Sequence, residues 1–324
     1  ALAVENAIKT AMDWKVQKNF QKGHTKERGL KVIHFEQAFH GRSGYTLSLT
    51  NTLPDKTKWF AKFDWPRVSL PKIKFPYSDA NYEDLKQREA LSIAQIKQAF
   101  EDNKDDICAI LIEPIQSEGG DNHVRPEFLE QLRTLADEND CFLIYDEVQT
   151  GVGLTGKFWA HEHFGVNARP DIVAFGKKMQ VCGILAGAKV DEIETNVFRV
   201  PSRINSTWGG NLVDMVRSSK IMEIIEEDSL LENAETVGNY LQESLQKIAE
   251  KSDKVSNVRG RGLLTAFDFP NKEMRDKFVK KGMENNVMFL GCGNQTIRFR
   301  PALILEKQHV DAGLSIMEKI IREF

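Results

Sequence analysis

Cysteine is scarce, net charge is small and long apolar runs are missing, and each shortage removes a class of function. The four cysteines of the 324-residue chain, Cys108, Cys141, Cys182 and Cys292, are widely spaced. They form no CxxC, so neither a zinc ribbon nor a dithiol redox motif is indicated. Three lie in or beside apolar runs, which suits buried free thiols in a reducing, cytoplasmic compartment better than disulfides. With 44 basic and 47 acidic residues the net charge is -3, without the basic patch that a nucleic-acid partner wants. No apolar stretch approaches a membrane span and no leader with basic and apolar regions is present, so no membrane partner is expected. His161-Glu162-His163 lacks the i, i+4 spacing of a helical zinc site, and no metal is expected. Gly151-Val-Gly153-Leu-Thr-Gly156 begins as G-x-G but lacks the third glycine in place, which disfavours a nicotinamide dehydrogenase.

What is present is an ordinary globular composition, 41% hydrophobic and 28% charged, in a chain long enough for about two domains. Ala1-Leu-Ala-Val-Glu-Asn-Ala-Ile-Lys9 reads as the interior of a helix, with no methionine or cap before it, and the helix is expected to run to about Lys18. The chain is therefore expected to be the truncated remainder of a longer one. Lys31–Phe35 reads as a strand. Residues 51–81 carry Pro54, Pro66, Pro71 and Pro76 among aromatics, a long connection of the kind that packs over a site. A helix is predicted over Tyr82–Asp102.

From there the pattern is regular. Ile107–Ile112, Cys141–Tyr145 and Ile172–Phe175 are continuous apolar runs, as for strands buried on both faces, with a helix opened by Pro126 between the first two. Strand, helix, strand at this spacing marks a mostly parallel α/β sheet, whose ligands sit beyond the carboxyl ends of the strands. Glu113, Asp146 and the pair Lys177-Lys178 fall there. After Gly210 come two helices, Asn211–Glu226 and one carrying Leu230, Ala234, Val237, Leu241, Leu245 and Ile248. Short strands at 263–269, 287–290 and 296–299 and a last helix follow. Residues 1–210 are read as a large domain and 211–324 as a smaller α/β domain.

A lysine at one strand end and a buried aspartate at another suit pyridoxal 5'-phosphate: the lysine forms a Schiff base and the aspartate pairs with the pyridinium nitrogen. Either lysine of the pair qualifies, and a solvated pair is the alternative. Asp146 needs a partner if buried. Phe39 is core or a ring stacked on a flat cofactor; Arg42 is a surface charge or a carboxylate grip. Glu118 and Arg298 are candidates to pair across the domain boundary. Asn205-Ser-Thr-Trp-Gly-Gly-Asn211 suits a phosphate site or any polar turn.

Leu111-Ile-Glu-Pro-Ile-Gln-Ser-Glu-Gly-Gly120, Asp146-Glu-Val-Gln-Thr-Gly151, Phe175-Gly-Lys-Lys178 and Ile297-Arg-Phe-Arg-Pro301 together resemble the class-III, pyridoxal-phosphate-dependent aminotransferases along nearly the whole chain. Within that family, Phe39–Asn51, Lys177–Gly183 and Asn205–Leu212 resemble the lysine ε-aminotransferases. Ser117–His123 and Gly156–His163 resemble the 4-aminobutyrate enzymes, the nearest alternative. The resemblance implies a fold-type-I transferase, with a mostly parallel central sheet between two helical layers and a smaller C-terminal domain. It implies transfer of the ε-amino group of L-lysine to 2-oxoglutarate by an obligate homodimer with shared active sites. It places the Schiff base on Lys177. It pairs Asp146 with the ring nitrogen, Gln149 with the phenolic oxygen and Phe39 with the ring face. It sends Thr207 to the phosphate of the other subunit and gives Arg42 the substrate carboxylate. Glu118 and Arg298 become a switch, paired for the amino donor and opened so that Arg298 binds the second carboxylate of 2-oxoglutarate. Asn205 and Ser206 are candidates for the α-ammonium of lysine. The family's main phosphate-binding turn precedes the first helix and so falls before Ala1, and weak cofactor binding by these 324 residues alone is expected. A non-catalytic, partner-binding role is the contrasting reading; the lysine, aspartate and switch pair in one chain argue against it for the longer protein, but not for these 324 residues alone.

Overall fold

The apolar runs become strands buried on both faces in the computed structural model, which describes residues 1–207 and 209–324. Strands β1 (Lys31–Phe35), β2 (Arg67–Val68), β3 (Ile107–Ile112), β4 (Phe142–Asp146), β5 (Ile172–Phe175) and β6 (Gly183–Ala186) form one sheet in the order β2-β1-β3-β4-β5-β6. All neighbours are parallel except β5 and β6. Side chains alternate between its faces. Leu111, Phe142 and Ile144 pack with Val4, Ile8, Ala11 and Trp14 of helix α1 (Leu2–Gln21). Ile110, Leu143 and Tyr145 pack with Phe128, Leu129 and Leu132, on the helix α4 (Pro126–Glu138) that Pro126 opens.

The two layers are tied together by Lys15. Its buried side chain on α1 donates to Asn139 O at 3.2 Å and Asp140 O at 2.7 Å. A cation there satisfies carbonyls that the end of α4 leaves open and meets the negative end of its dipole.

The second sheet contains β7 (Ser256–Arg261), β8 (Leu264–Asp268), β9 (Leu290–Cys292) and β10 (Thr296–Phe299), antiparallel in the order β7-β8-β10-β9. Helices α6 (Leu230–Lys251), α7 (Lys272–Glu284) and α8 (Lys307–Arg322) pack with it, while α5 (Leu212–Glu227) precedes them and contacts α6. The strand expected at 287–290 begins instead at Leu290, and α3 (Asp79–Asp102) begins three residues early, where Ser78 caps it by accepting from Asn81 N. The helix α2 (Gly44–Leu49), the edge strands β6 and β7, and α7 were not expected. β7 reads as polar because its residues are mostly half-exposed, and α7 buries only Arg275, Phe278 and Gly282.

One close approach fixes the seat of α6. A Cβ on Gly238 would lie 2.1 Å from the carbonyl carbon and oxygen of Gly262, in the turn between β7 and β8. Helix propensity alone would make Gly238→Ala stabilising by about 1 kcal/mol. Overpacking against fixed backbone is expected to reverse the sign and destabilise by about 1–3 kcal/mol. Denaturant melts check this; an unchanged or raised midpoint would mean that α6 is free to shift.

Candidate active site

The carboxyl ends of β1, β3, β4 and β5 open on one cavity of about 440 Å³. Phe39, His40, Glu113, Asp146, Gln149 and Lys177 border it, and Glu118 and Arg298 reach it from the side of the second sheet. Asp146 ends β4 with its carboxylate buried. Its Oδ2 lies 2.8 Å from His40 Nδ1 and its Oδ1 accepts from Val148 N at 3.1 Å. The buried partner that Asp146 requires is thus a histidine that sequence reading passed over. His40 Nε2 is itself buried, with no partner among the described residues.

The turn carrying Phe39 and His40 is held from two sides. Thr50 Oγ1 accepts from His40 N at 2.9 Å and Gly41 N at 3.1 Å, and donates to Gly41 O at 2.6 Å. Glu113, just past β3, accepts from Phe39 N and Ser117 N, each at 3.0 Å. Burial pushes the Glu113 carboxyl up to about 7; His40 pulls it back down and Asp146 pushes it further up.

The lysine pair divides. Lys177 follows Gly176 with a left-handed φ of 46° and borders the cavity that contains Asp146. It also reaches an adjoining apolar cavity of about 460 Å³. Lys178 borders only that second space and donates to Gln149 O at 2.7 Å. Burial first, then Arg300 and Lys177, lower the Lys178 amine to about 7.

Glu118 and Arg298 meet at 2.8 Å. The carboxylate is shared with Lys56, whose Nζ also lies 5.0 Å from the centroid of the Phe39 ring. Burial alone would raise the Glu118 carboxyl, but Lys56 and Arg298 together hold it below its ordinary value. Lys56 sits in a short turn, Pro54–Lys56, inside the proline-rich connection, and only the length of that connection hinted at a role.

Other candidates lie elsewhere. Glu147 turns away and accepts from Thr150 Oγ1, Ala160 N and His161 N at 2.8–2.9 Å. His161 Nδ1 lies 2.9 Å from the same carboxylate and His163 faces Thr155, so both imidazoles serve local structure. Arg42 is exposed one residue beyond Gly41 on the cavity wall. Asn205, Ser206 and Thr207 are exposed and do not border the cavity; Trp208 of the same stretch lies outside the described residues.

Residues 1–321 match the family model described as aminotransferase class-III. The chain is similar to the L-lysine-epsilon aminotransferase of Mycobacterium tuberculosis, 48% identical over 322 residues that cover 99% of this chain and 71% of that protein. The solved structure of lysine aminotransferase from that organism, in its internal aldimine form, superposes with a TM-score of 0.95 at 47% identity, covering 99% of this chain and 73% of the other. The mitochondrial 4-aminobutyrate aminotransferase of Mus musculus is 34% identical over 340 residues, covering 99% of this chain and 66% of that protein.

The raised carboxyl of Glu113 sets a pH dependence. A group whose folded pKa, about 7, exceeds its ordinary 4.5 contributes stability that is full below 4.5 and is lost as pH rises through 7. The melting temperature of the chain is expected to fall between pH 5 and pH 8 relative to Glu113→Gln. Parallel curves for the two would remove Glu113 as the cause.

Proposed function

The chain belongs to the class-III aminotransferases, and on that premise we propose that it moves the ε-amino group of L-lysine to 2-oxoglutarate, giving glutamate and 2-aminoadipate 6-semialdehyde, which cyclises. The observation that carries the reading is the shared cavity of Asp146, Phe39, Gln149, Lys177 and the Glu118–Arg298 pair. A buried carboxylate, an aromatic ring, an amide and a primary amine around one space are the groups that pyridoxal 5'-phosphate requires, so the residues fit it. When bound, that cofactor supplies the electron sink and carries the amino group between the two substrates.

The chain's own residues do the rest. His40 orients Asp146, which would pair with the protonated ring nitrogen and keep the ring electron-poor. Phe39 would lie against the ring and Gln149 would meet its phenolic oxygen. Lys177 would hold the cofactor covalently; once the substrate's amine has displaced it, its free Nζ would take the proton from Cε of lysine and, in the second half, deliver one to Cα of the nascent glutamate. Arg42 takes the carboxylate of lysine, with Asn205 and Ser206 as acceptors for its α-ammonium. Glu118 neutralises Arg298 while lysine occupies the site. It releases Arg298 to the second carboxylate of 2-oxoglutarate.

Residues 1–210 form the cofactor domain and 211–324 the small domain in this reading. A second copy supplies Thr207 to the cofactor phosphate. The exposed apolar residues Leu212, Val213 and Val216 at the start of α5, 72–78% accessible, favour a dimer face there. No helix among the described residues is long and apolar enough to cross a membrane. The free thiols Cys108, Cys141 and Cys292 are buried, in keeping with the reducing conditions of the cytoplasm.

The test uses the full-length protein loaded with pyridoxal 5'-phosphate. Lysine is expected to be turned over faster than 4-aminobutyrate with 2-oxoglutarate as acceptor. Lys177→Ala is expected to lose activity by a factor on the order of 10³ or more and to lose covalent cofactor on borohydride reduction, while Lys178→Met keeps both. Faster turnover of 4-aminobutyrate would overturn the substrate assignment, and cofactor trapped on Lys178 would overturn that of the lysine.

A further inference from the structure

The carboxylate of Glu118 has two cationic partners. One oxygen meets Arg298 at 2.8 Å and the other meets Lys56. Glu118 also stands between two spaces. In front of it is the cavity with Asp146 and Lys177; behind it is a second cavity of about 400 Å³, bordered by Thr52, Leu53, Lys272 and Arg275. A side chain in that position has room to leave Arg298. What it then lacks is compensation for its charge, close to an incoming dianion.

We propose that Lys56 is the third member of the switch: it keeps Glu118 paired once Arg298 has turned to the second carboxylate of the acceptor. The proposal rests on reading Glu118 and Arg298 as a switch. Lys56 acts through Glu118, so it is a positioning residue. Two effects of its removal run the same way. Glu118 would have Arg298 as its sole partner and hold it longer, and a released Glu118 would stand uncompensated beside the substrate. Both weaken binding of a dicarboxylate and leave a monocarboxylate alone. The contact of Lys56 with the Phe39 ring at 5.0 Å places this cation within reach of both the switch and the residue assigned to the cofactor face.

The experiment is titration calorimetry on the full-length holoenzyme with glutarate, a five-carbon dicarboxylate without a reactive carbonyl, and butyrate as the monocarboxylate control. Lys56→Met is expected to weaken glutarate about fivefold, the scale of an ion pair that solvent still reaches, with butyrate unchanged. Lys56→Arg is expected to restore it. In steady state Lys56→Met is expected to raise KM for 2-oxoglutarate and to leave the rate of the lysine half-reaction intact. In a Glu118→Gln background Lys56→Met is expected to have no further effect on glutarate, since no carboxylate is left to hold. Equal losses for glutarate and butyrate, or a loss that persists in Glu118→Gln, would overturn the proposal; the latter would make Lys56 a direct substrate contact. Glutarate binding needs no amino donor, so the result stands apart from whether lysine is the donor. A wild-type protein that binds glutarate no better than butyrate would sink the switch itself.

Discussion

The hydrogen bond between His40 and Asp146 is the constraint on which the site depends. A carboxylate buried at the end of a central strand costs several kcal/mol unless a partner offsets it. The partner here comes from the turn after β1 rather than from a strand, so its position must be fixed by other contacts. That requirement explains the otherwise excessive bonding of a six-residue neighbourhood. Thr50 makes three hydrogen bonds to the turn, and Glu113 anchors the same turn from β3. Glu113 is buried in a position that raises its own pKa, and there it ties the turn at Phe39 N to its own loop at Ser117 N.

The same economy separates the lysines. The pair lies in a short turn, Lys177–Met179, opened by Lys177 in a left-handed conformation just after Gly176, and only Lys177 borders the cavity of Asp146. Lys178 is turned onto Gln149 O, and its lowered pKa follows from that half-buried position beside Arg300 and Lys177. A perturbed lysine is often a functional one. Here the perturbed member is the one that does not border the cavity of Asp146.

The central strands β1, β3, β4 and β5 and the helix after Pro126 were legible in the sequence, because burial on both faces removes polar residues and leaves an unmistakable run. The strand-end residues Glu113, Asp146 and the pair Lys177-Lys178 followed from the sheet geometry, and the choice of Lys177 came only with the family resemblance. Edge strands β6 and β7 and helix α7 were not legible, since one exposed side admits any polar residue. His40 was hidden because its role is set by a contact 106 residues away. Lys56 was hidden more deeply: it lies in an irregular connection, where spacing carries no directional information, and only the folded loop brings it to Glu118. The roles expected of Arg42 and Thr207 came only from the resemblance of residues 39–51 and 205–212; the single chain's geometry does not bring either to the cavity.

The second sheet holds the loop after β3 by ion pairs of unequal permanence. Arg259 donates to Gly120 O and Asp121 O and pairs with Asp268, and Arg300 pairs with the fully buried Asp121. Breaking a buried pair costs about 3–5 kcal/mol because it strands a charge in low dielectric. Glu118 and Arg298 are 27% and 17% exposed, so solvent reaches this pair and opening it costs less than breaking the buried one. Arg298 and Arg300 are two residues apart, at the end of β10 and just beyond it, yet they fall on opposite sides of this divide. The difference leaves one ion pair weaker than the neighbours that keep the two sheets together. With Lys56 already on the free oxygen of Glu118, opening exchanges one paired state for another and leaves no charge without a partner.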